Sequence, residues 1–213
     1  MILDVKLTFH DHVDACVSKA NRMLGLLMRS MQISSCMSLR RFNYRPVLCA
    51  YYAHVRSIIE YGSVIWGGAA ASHLARLERL QHRFLMWLGA KTDGQCPMDY
   101  ASLTEHFRCA SIKARFVQAD VMFLRSVFSG RLDCTHLVTA FALRAPGRGT
   151  RQTGLFSVPF GRVNTVQNSF KIRVPKFVNE FLLKKPAEDF FQPSQCFRSN
   201  LLDFAASVGT FMM

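Results

Sequence analysis

Apolar side chains recur three and four residues apart along most of this chain, and that spacing commits it to helices rather than sheets. Val13, Cys16, Val17, Ala20, Leu24, Leu27, Met28 and Met31 form one stripe. Leu74, Leu77, Gln81, Phe84, Leu85 and Leu88 form a second, and Ile112, Phe116, Ala119, Phe123, Leu124 and Val127 a third. A helix carrying such a stripe buries it against its neighbours. The expected fold class is therefore mainly α, a helical bundle. Half of the 213 residues are apolar, enough to fill a sizeable core.

Punctuation along the chain sets the expected boundaries. Leu3, Val5, Leu7 and Phe9 alternate with Asp4, Lys6 and Thr8, which predicts a short N-terminal strand over residues 1–10. Thr8 precedes Asp11 by three, a capping-box spacing that opens the first helix. A second helix starts near Ser38, or after Pro46, and runs to about Tyr61, with Pro46 in a first turn. A third opens near Ser72 and ends at Gly89. A short helix over Met98–Phe107 and a long one over Ser111–Phe128 follow, closed by Gly130, so residues 11–130 make the bundle. Residues 131–164 are an irregular connector. It contains the basic Gly/Pro/Arg loop "RAPGRGTRQTGLFSVPFGR", Arg144 to Arg162, with a short β segment at Leu155–Val158. Residues 165–213 make a small helical C-terminal cap, with helices from about Thr165 to Leu183 and from Ser194 to Ser207.

The seven cysteines are scattered through apolar helical patterns, which predicts reduced, buried thiols in an intracellular protein, with nothing to separate nucleus from cytoplasm. The start lacks a basic leader with an apolar run, and no window reaches the ~18 apolar residues of a membrane span, so no membrane partner is expected.

Charge points to a polyanion. There are 27 Lys+Arg against 14 Asp+Glu, a net charge of +13. The basic residues gather on helix faces. Lys19, Arg22 and Arg29 share one, and Arg76, Arg79 and Arg83 share another. Arg144, Arg148 and Arg151 lie among glycines whose exposed N–H groups suit a phosphate chain. These nine are the candidate nucleic-acid-binding residues. Solvated helix faces and a plain surface loop are the competing explanation.

Catalytic sets do not assemble. The adjacent carboxylates Glu188 and Asp189 suit the first turn of a helix, and no aspartate pair or Gly-rich phosphate loop is present. His10, His12 and Cys16, and separately Cys134 and His136, fall short of a four-ligand zinc set. No catalytic residue, metal site or cofactor is expected.

One stretch, "YYAHVRSIIEYGSVIWGG" from Tyr51 to Gly68, carries a resemblance. Tyr51-Tyr52, Val55-Arg56, Glu60-Tyr61-Gly62 and Ile65-Trp66 resemble the "LY-x-x-x-V-x-x-x-x-EYGS-x-x-W" helix of non-LTR (LINE-type, jockey-like) retrotransposon reverse transcriptases. Leu3-Asp4, Leu7, Phe9, His12 and Val13 resemble the segment after that family's palm, and Leu77-Glu78, Gln81, Phe84 and Leu88 its "LE-x-x-Q-x-x-F-x-R-x-L" helix. Phe156, Val158-Pro159, Arg162, Ser169-Phe170, Arg173 and Asn179 resemble its tail, and Ser194 and Phe197 its final helix. Arg115-Phe116 departs from the family's double arginine, and no Cys/His knuckle follows.

The resemblance implies the thumb and C-terminal part of an RNA-directed DNA polymerase. The Tyr-x-Asp-Asp turn is not in the sequence, so the chain would be no enzyme on its own, and Mg2+ would belong to the missing palm. The thumb's arginines would hold RNA, an RNA–DNA hybrid or DNA by the backbone. Tyr51, Tyr52, Ile58, Ile59 and Trp66 would pack the thumb's helices and dock them on the palm, and Glu60 would require a partner such as a nearby arginine. The alternative is an inert helical fragment of a decayed transposon copy that contacts no nucleic acid.

Overall fold

The chain begins with a local hydrogen-bond knot. The Asp4 carboxylate accepts from the Thr8 backbone N–H and hydroxyl at 2.9 and 2.5 Å and from Phe9 N–H at 2.9 Å. These bonds, the Thr8 hydroxyl's foremost, hold Asp4 down at a pKa of about 2. Leu7 and Phe9 adopt left-handed backbone, φ 50° and 57°. The expected strand over residues 1–10 is therefore not formed: a run with two left-handed residues cannot stay extended. Its alternating Leu3, Val5 and Leu7 are exposed instead.

This computed structural model describes residues 1–5, 7–34, 43–68, 70–92, 99–144, 154–192 and 195–210. Its helices are α1 (His10–Ser34), α2 (Tyr44–Tyr51), a π-helical turn (Tyr52–Arg56), α3 (Ser57–Glu60), α4 (Ser63–Trp66) and α5 (Ala71–Thr92). After them come α6 (Tyr100–His106), α7 (Ile112–Phe128), α8 (Thr135–Ala140), α9 (Asn164–Gln167), α10 (Phe170–Lys184) and α11 (Phe197–Thr210). The fold is mainly helical, and among the described residues the β structure is one antiparallel bridge, Leu143 with Phe156. None of these helices is long and apolar enough to cross a membrane.

Two compact units divide the chain. The first holds Met1–Gly62 and Ala70–Ile112, the second Ser63–Ala69 and Lys113–Met213. The long helix α7 thus goes with the tail, whereas its sequence position suggested a place in the 11–130 bundle.

In the first unit α1 buries Val13, Cys16, Ala20, Leu24 and Leu27. Asn43 caps α2, its side chain accepting from Arg45 N–H at 3.1 Å, which leaves Pro46 in the first turn. The π-helical turn inserts an extra residue into the helical phase. Tyr51, Val55, Arg56 and Ile59 all come to face inward. Tyr51 stacks on Phe84 with ring centroids 4.0 Å apart and 7° between planes. Such a pair adds ~1 kcal/mol beyond its buried area.

Two buried polar side chains of this unit, Arg56 and Gln81, are paired. Arg56 binds the Glu60 carboxylate at 2.6 Å and donates to the Ala110 carbonyl at 2.9 Å. That supplies the arginine Glu60 requires. Gln81, fully buried, accepts from Tyr51 Oη at 3.3 Å and donates to Tyr100 Oη at 3.0 Å and the Ala110 carbonyl at 3.1 Å. A glutamine on the apolar stripe of α5 is thereby satisfied. Helix α5 does not stop at Gly89, which is buried in its last turn. It runs on to Thr92, whose hydroxyl caps the Leu88 and Gly89 carbonyls.

The second unit is built on phenylalanine. Phe141, Phe156, Phe181, Phe190, Phe197 and Phe204 pack with Val121, Leu124, Val174, Val178 and Leu201. Asn179 on α10 holds the bridge strand, its amide accepting from Phe156 N–H at 2.9 Å and donating to Phe156 O at 2.8 Å. Gly130, at φ 70°, ends α7 as expected. Trp66 is buried edge-to-face on Phe116. Of the described cysteines only Cys16 and Cys109 are buried; Cys49 and Cys196 are exposed, against the expectation of buried thiols.

Candidate nucleic-acid interface

Helices α1 and α5 pack side by side, and the arginines of α5 reach across to α1. Arg76 Nη1 donates to the Asp14 carboxylate at 2.5 Å. Two turns on, Arg83 Nη2 donates to the Asn21 amide oxygen. Arg79 lies between them and donates to its own helix, to the Ala75 carbonyl at 3.3 Å. The three guanidiniums line one shallow cleft of about 250 Å³, floored by Val17 and Leu80 and edged by Asn21. The stripe read from the sequence is thus a single basic surface.

Lys19, Arg22 and Arg29 do not join it. At 100° per residue, Asp14, Val17 and Asn21 fall within about 60° of one another on α1, Arg22 and Arg29 about 100° away, and Lys19 about 170° away. All three are exposed, and Arg29 Nε donates back to the Gly25 carbonyl at 3.2 Å. Arg144 belongs to the second unit, exposed, with its N–H donating to Leu155 O at 3.0 Å. Arg148 and Arg151, with most of the Gly/Pro/Arg loop, lie outside the described residues.

The Asp14–Arg76 pair sits at the surface, with side chains 57% and 37% exposed. Such a pair contributes about 1 kcal/mol or less. It pre-orients the guanidinium while leaving it open to a stronger anion. A phosphate entering the cleft would meet charge from three arginines against one carboxylate.

The histidines considered as ligands part company. His10 Nδ1 meets His73 Nε2 at 2.7 Å, while His12 faces Cys16 Sγ at 3.6 Å. Burial pulls His12 and His73 below the ordinary histidine pKa. Among the described residues no group of three or more His, Cys, Asp or Glu is placed to hold a metal ion.

The sequence reading missed a second polar centre, in the second unit. Arg173 on α10 grips Asp120 on α7 through Nε at 2.8 Å and Nη2 at 3.0 Å. It also donates to Val64 O at 2.8 Å and Asn168 O at 2.9 Å. Burial pushes the Asp120 carboxyl up to about 6, against the opposing pull of Arg173. The available signal was an aspartate four residues after Phe116 and four before Leu124, on the inward face of an apolar helix.

No protein-family model matches this chain, and no curated protein or solved structure is significantly similar to it.

Proposed function

We propose that this chain is the nucleic-acid-holding, thumb-like C-terminal region of a non-LTR retrotransposon RNA-directed DNA polymerase. It grips an RNA–DNA hybrid, RNA or DNA by the backbone and carries no catalysis itself. The observation that carries the proposal is the convergence of Arg76, Arg79 and Arg83 on one cleft beside α1. Evenly spaced guanidiniums on a helix face contact phosphates without reading bases. Mg2+ would be bound by palm carboxylates outside this sequence.

The test is fluorescence anisotropy with a labelled RNA–DNA hybrid from about 50 to about 200 mM salt. Binding should weaken steeply with salt. Changing Arg76, Arg79 and Arg83 together to Ala should lower the log–log salt slope by roughly 2 to 3, at about 0.9 per lost phosphate contact. Indifference to the hybrid at low salt, or an unchanged slope in a folded triple variant, overturns the proposal.

One observation favours the inert-fragment alternative. Arg76 and Arg83 already have partners within the chain, Asp14 and Asn21. If those bonds are their whole purpose, the triple variant loses stability and no affinity.

A further inference from the structure

A pair of histidines stands next to the arginine cleft, on the same two helices. His73 lies about one turn before Arg76 on α5, and His10 about one turn before Asp14 on α1. Their rings meet edge-to-face, with centroids 4.3 Å apart and 81° between planes, and His10 Nδ1 is 2.7 Å from His73 Nε2. The α1–α5 seam thus carries two cross-helix polar contacts in succession, His10–His73 and Asp14–Arg76. His10 is exposed and His73 buried. The second ring nitrogen of His73, Nδ1, is buried with no hydrogen-bond partner among the described residues.

The bond between the rings limits how many protons the pair can hold. In the neutral pair one ring donates its N–H and the other accepts. One added proton is carried by His10, the exposed ring, and the bond becomes charge-assisted. A second would place N–H against N–H and break it. It would also charge His73, which burial opposes first, followed by repulsion from His10 and Arg76, against the attraction of Asp14. The pair is therefore built to accept a single proton. Other charged groups around it are otherwise engaged or face water. His12 turns to Ile2 N–H and Cys16, Asp4 is held by Thr8 and Phe9, and Asp11 is exposed.

We infer that the His10–His73 pair is a one-proton switch on the arginine cleft, tightening its grip on a phosphate chain when the proton is taken up. This rests on the cleft's proposed role in holding nucleic acid. With the pair neutral, Asp14 is left to Arg76. With His10 charged, a cation stands four residues from Asp14 on the same helix face and competes for its carboxylate. Arg76 is then released to a phosphate, and one more positive charge flanks the cleft. Because the coupling is reciprocal, bound phosphate in turn favours the protonated pair. Phosphodiesters stay ionised across the histidine range, so the pH response belongs to the protein.

The test is anisotropy of a labelled RNA–DNA hybrid with the full chain at fixed ionic strength, at about pH 7.5 and about pH 5.5, either side of an ordinary histidine's ~6.5. The Kd should fall about tenfold at the lower pH. His10→Gln and His73→Gln should each cut that change to about threefold or less, with circular dichroism checking the fold. His136→Gln, an exposed histidine of α8, should keep it. Asp14→Asn, in which Arg76 is free at both pH values, should bind about threefold tighter than the parent at pH 7.5. Equal affinity of the parent at both pH values, a full tenfold change retained in a folded His10→Gln chain, or Asp14→Asn binding no tighter at pH 7.5 overturns the switch and leaves the cleft's role standing. Absence of binding at either pH in low salt overturns that role and the switch with it.

Discussion

Two glycine-to-alanine changes should move stability in opposite directions. A Cβ on Gly68 would lie 2.2 Å from Asn168 O and 2.3 Å from Arg173 Nη1. Neither neighbour is free to yield. Asn168 O is backbone, and the guanidinium is fixed by bonds to Asp120, Val64 O and Asn168 O. Forcing a methyl into such a site costs about 1–3 kcal/mol, and breaking the Arg173–Asn168 bond adds a share of the ~1.5–3 kcal/mol of a charged hydrogen bond. Gly68→Ala should therefore destabilise by about 3 kcal/mol. Gly25 lies within α1 with nothing within 4 Å of its Cβ position. There the helix propensity of alanine prevails, and Gly25→Ala should stabilise by up to about 1 kcal/mol. Urea unfolding followed by circular dichroism, with linear extrapolation, measures both. A Gly68→Ala chain within about 0.5 kcal/mol of the parent would show that the close approach of these backbones is not what the glycine serves.

Further outcomes follow from the buried ionisable groups. Asp120→Asn leaves Arg173 without its counter-charge and should cost about 3 kcal/mol in the same urea assay. Asp120 is raised to about 6 from 3.8, so the folded chain binds more protons than the unfolded one over about pH 4–6, and this group's contribution to stability diminishes as pH rises through that window. Asp120→Asn should remove that component of the pH slope. His73 and His12 act in the opposite sense. Their folded pKa values lie below 6.5, so the unfolded chain binds more protons, and the urea midpoint should fall as pH drops below about 6.5. His73→Phe should reduce that fall; an unchanged profile refutes the assignment.

Much of the helix pattern was legible because period and punctuation agree: Pro46 in a first turn, Gly130 at a left-handed stop, Glu60 one turn from Arg56. The failures have identifiable causes. The Leu3–Phe9 alternation has the period of a strand, but Asp4 captures the following N–H groups and bends the backbone instead. Gly89 looked like a terminator and is a buried packing position, its own carbonyl and that of Leu88 accepting from the Thr92 hydroxyl. The arginine face of α5 was readable from spacing alone. Which face of α1 lies opposite it was not, because that is fixed by how the two apolar stripes interlock. This is why Arg76, Arg79 and Arg83 converge while Lys19, Arg22 and Arg29 stay apart.

The Tyr51–Gly68 stretch carries two demands in sequence. Its first part turns Tyr51 and Arg56 into a buried polar network through the π-helical turn, and the run breaks at Gly62, φ 67°. Its second part enters another core. Trp66 is buried there, a Cβ on Gly67 would meet Ser63 O at 2.4 Å, and Gly68 passes beneath Arg173. The Trp-Gly-Gly exit and the distant Ser169-Phe170…Arg173 run are therefore one physical feature. The guanidinium needs the Val64 carbonyl as an acceptor, and it reaches that carbonyl only because no side chain stands at Gly68. Residues far apart in sequence are thus held to each other by one steric condition, which explains why a glycine pair follows a tryptophan where an ordinary helix end would tolerate many residues.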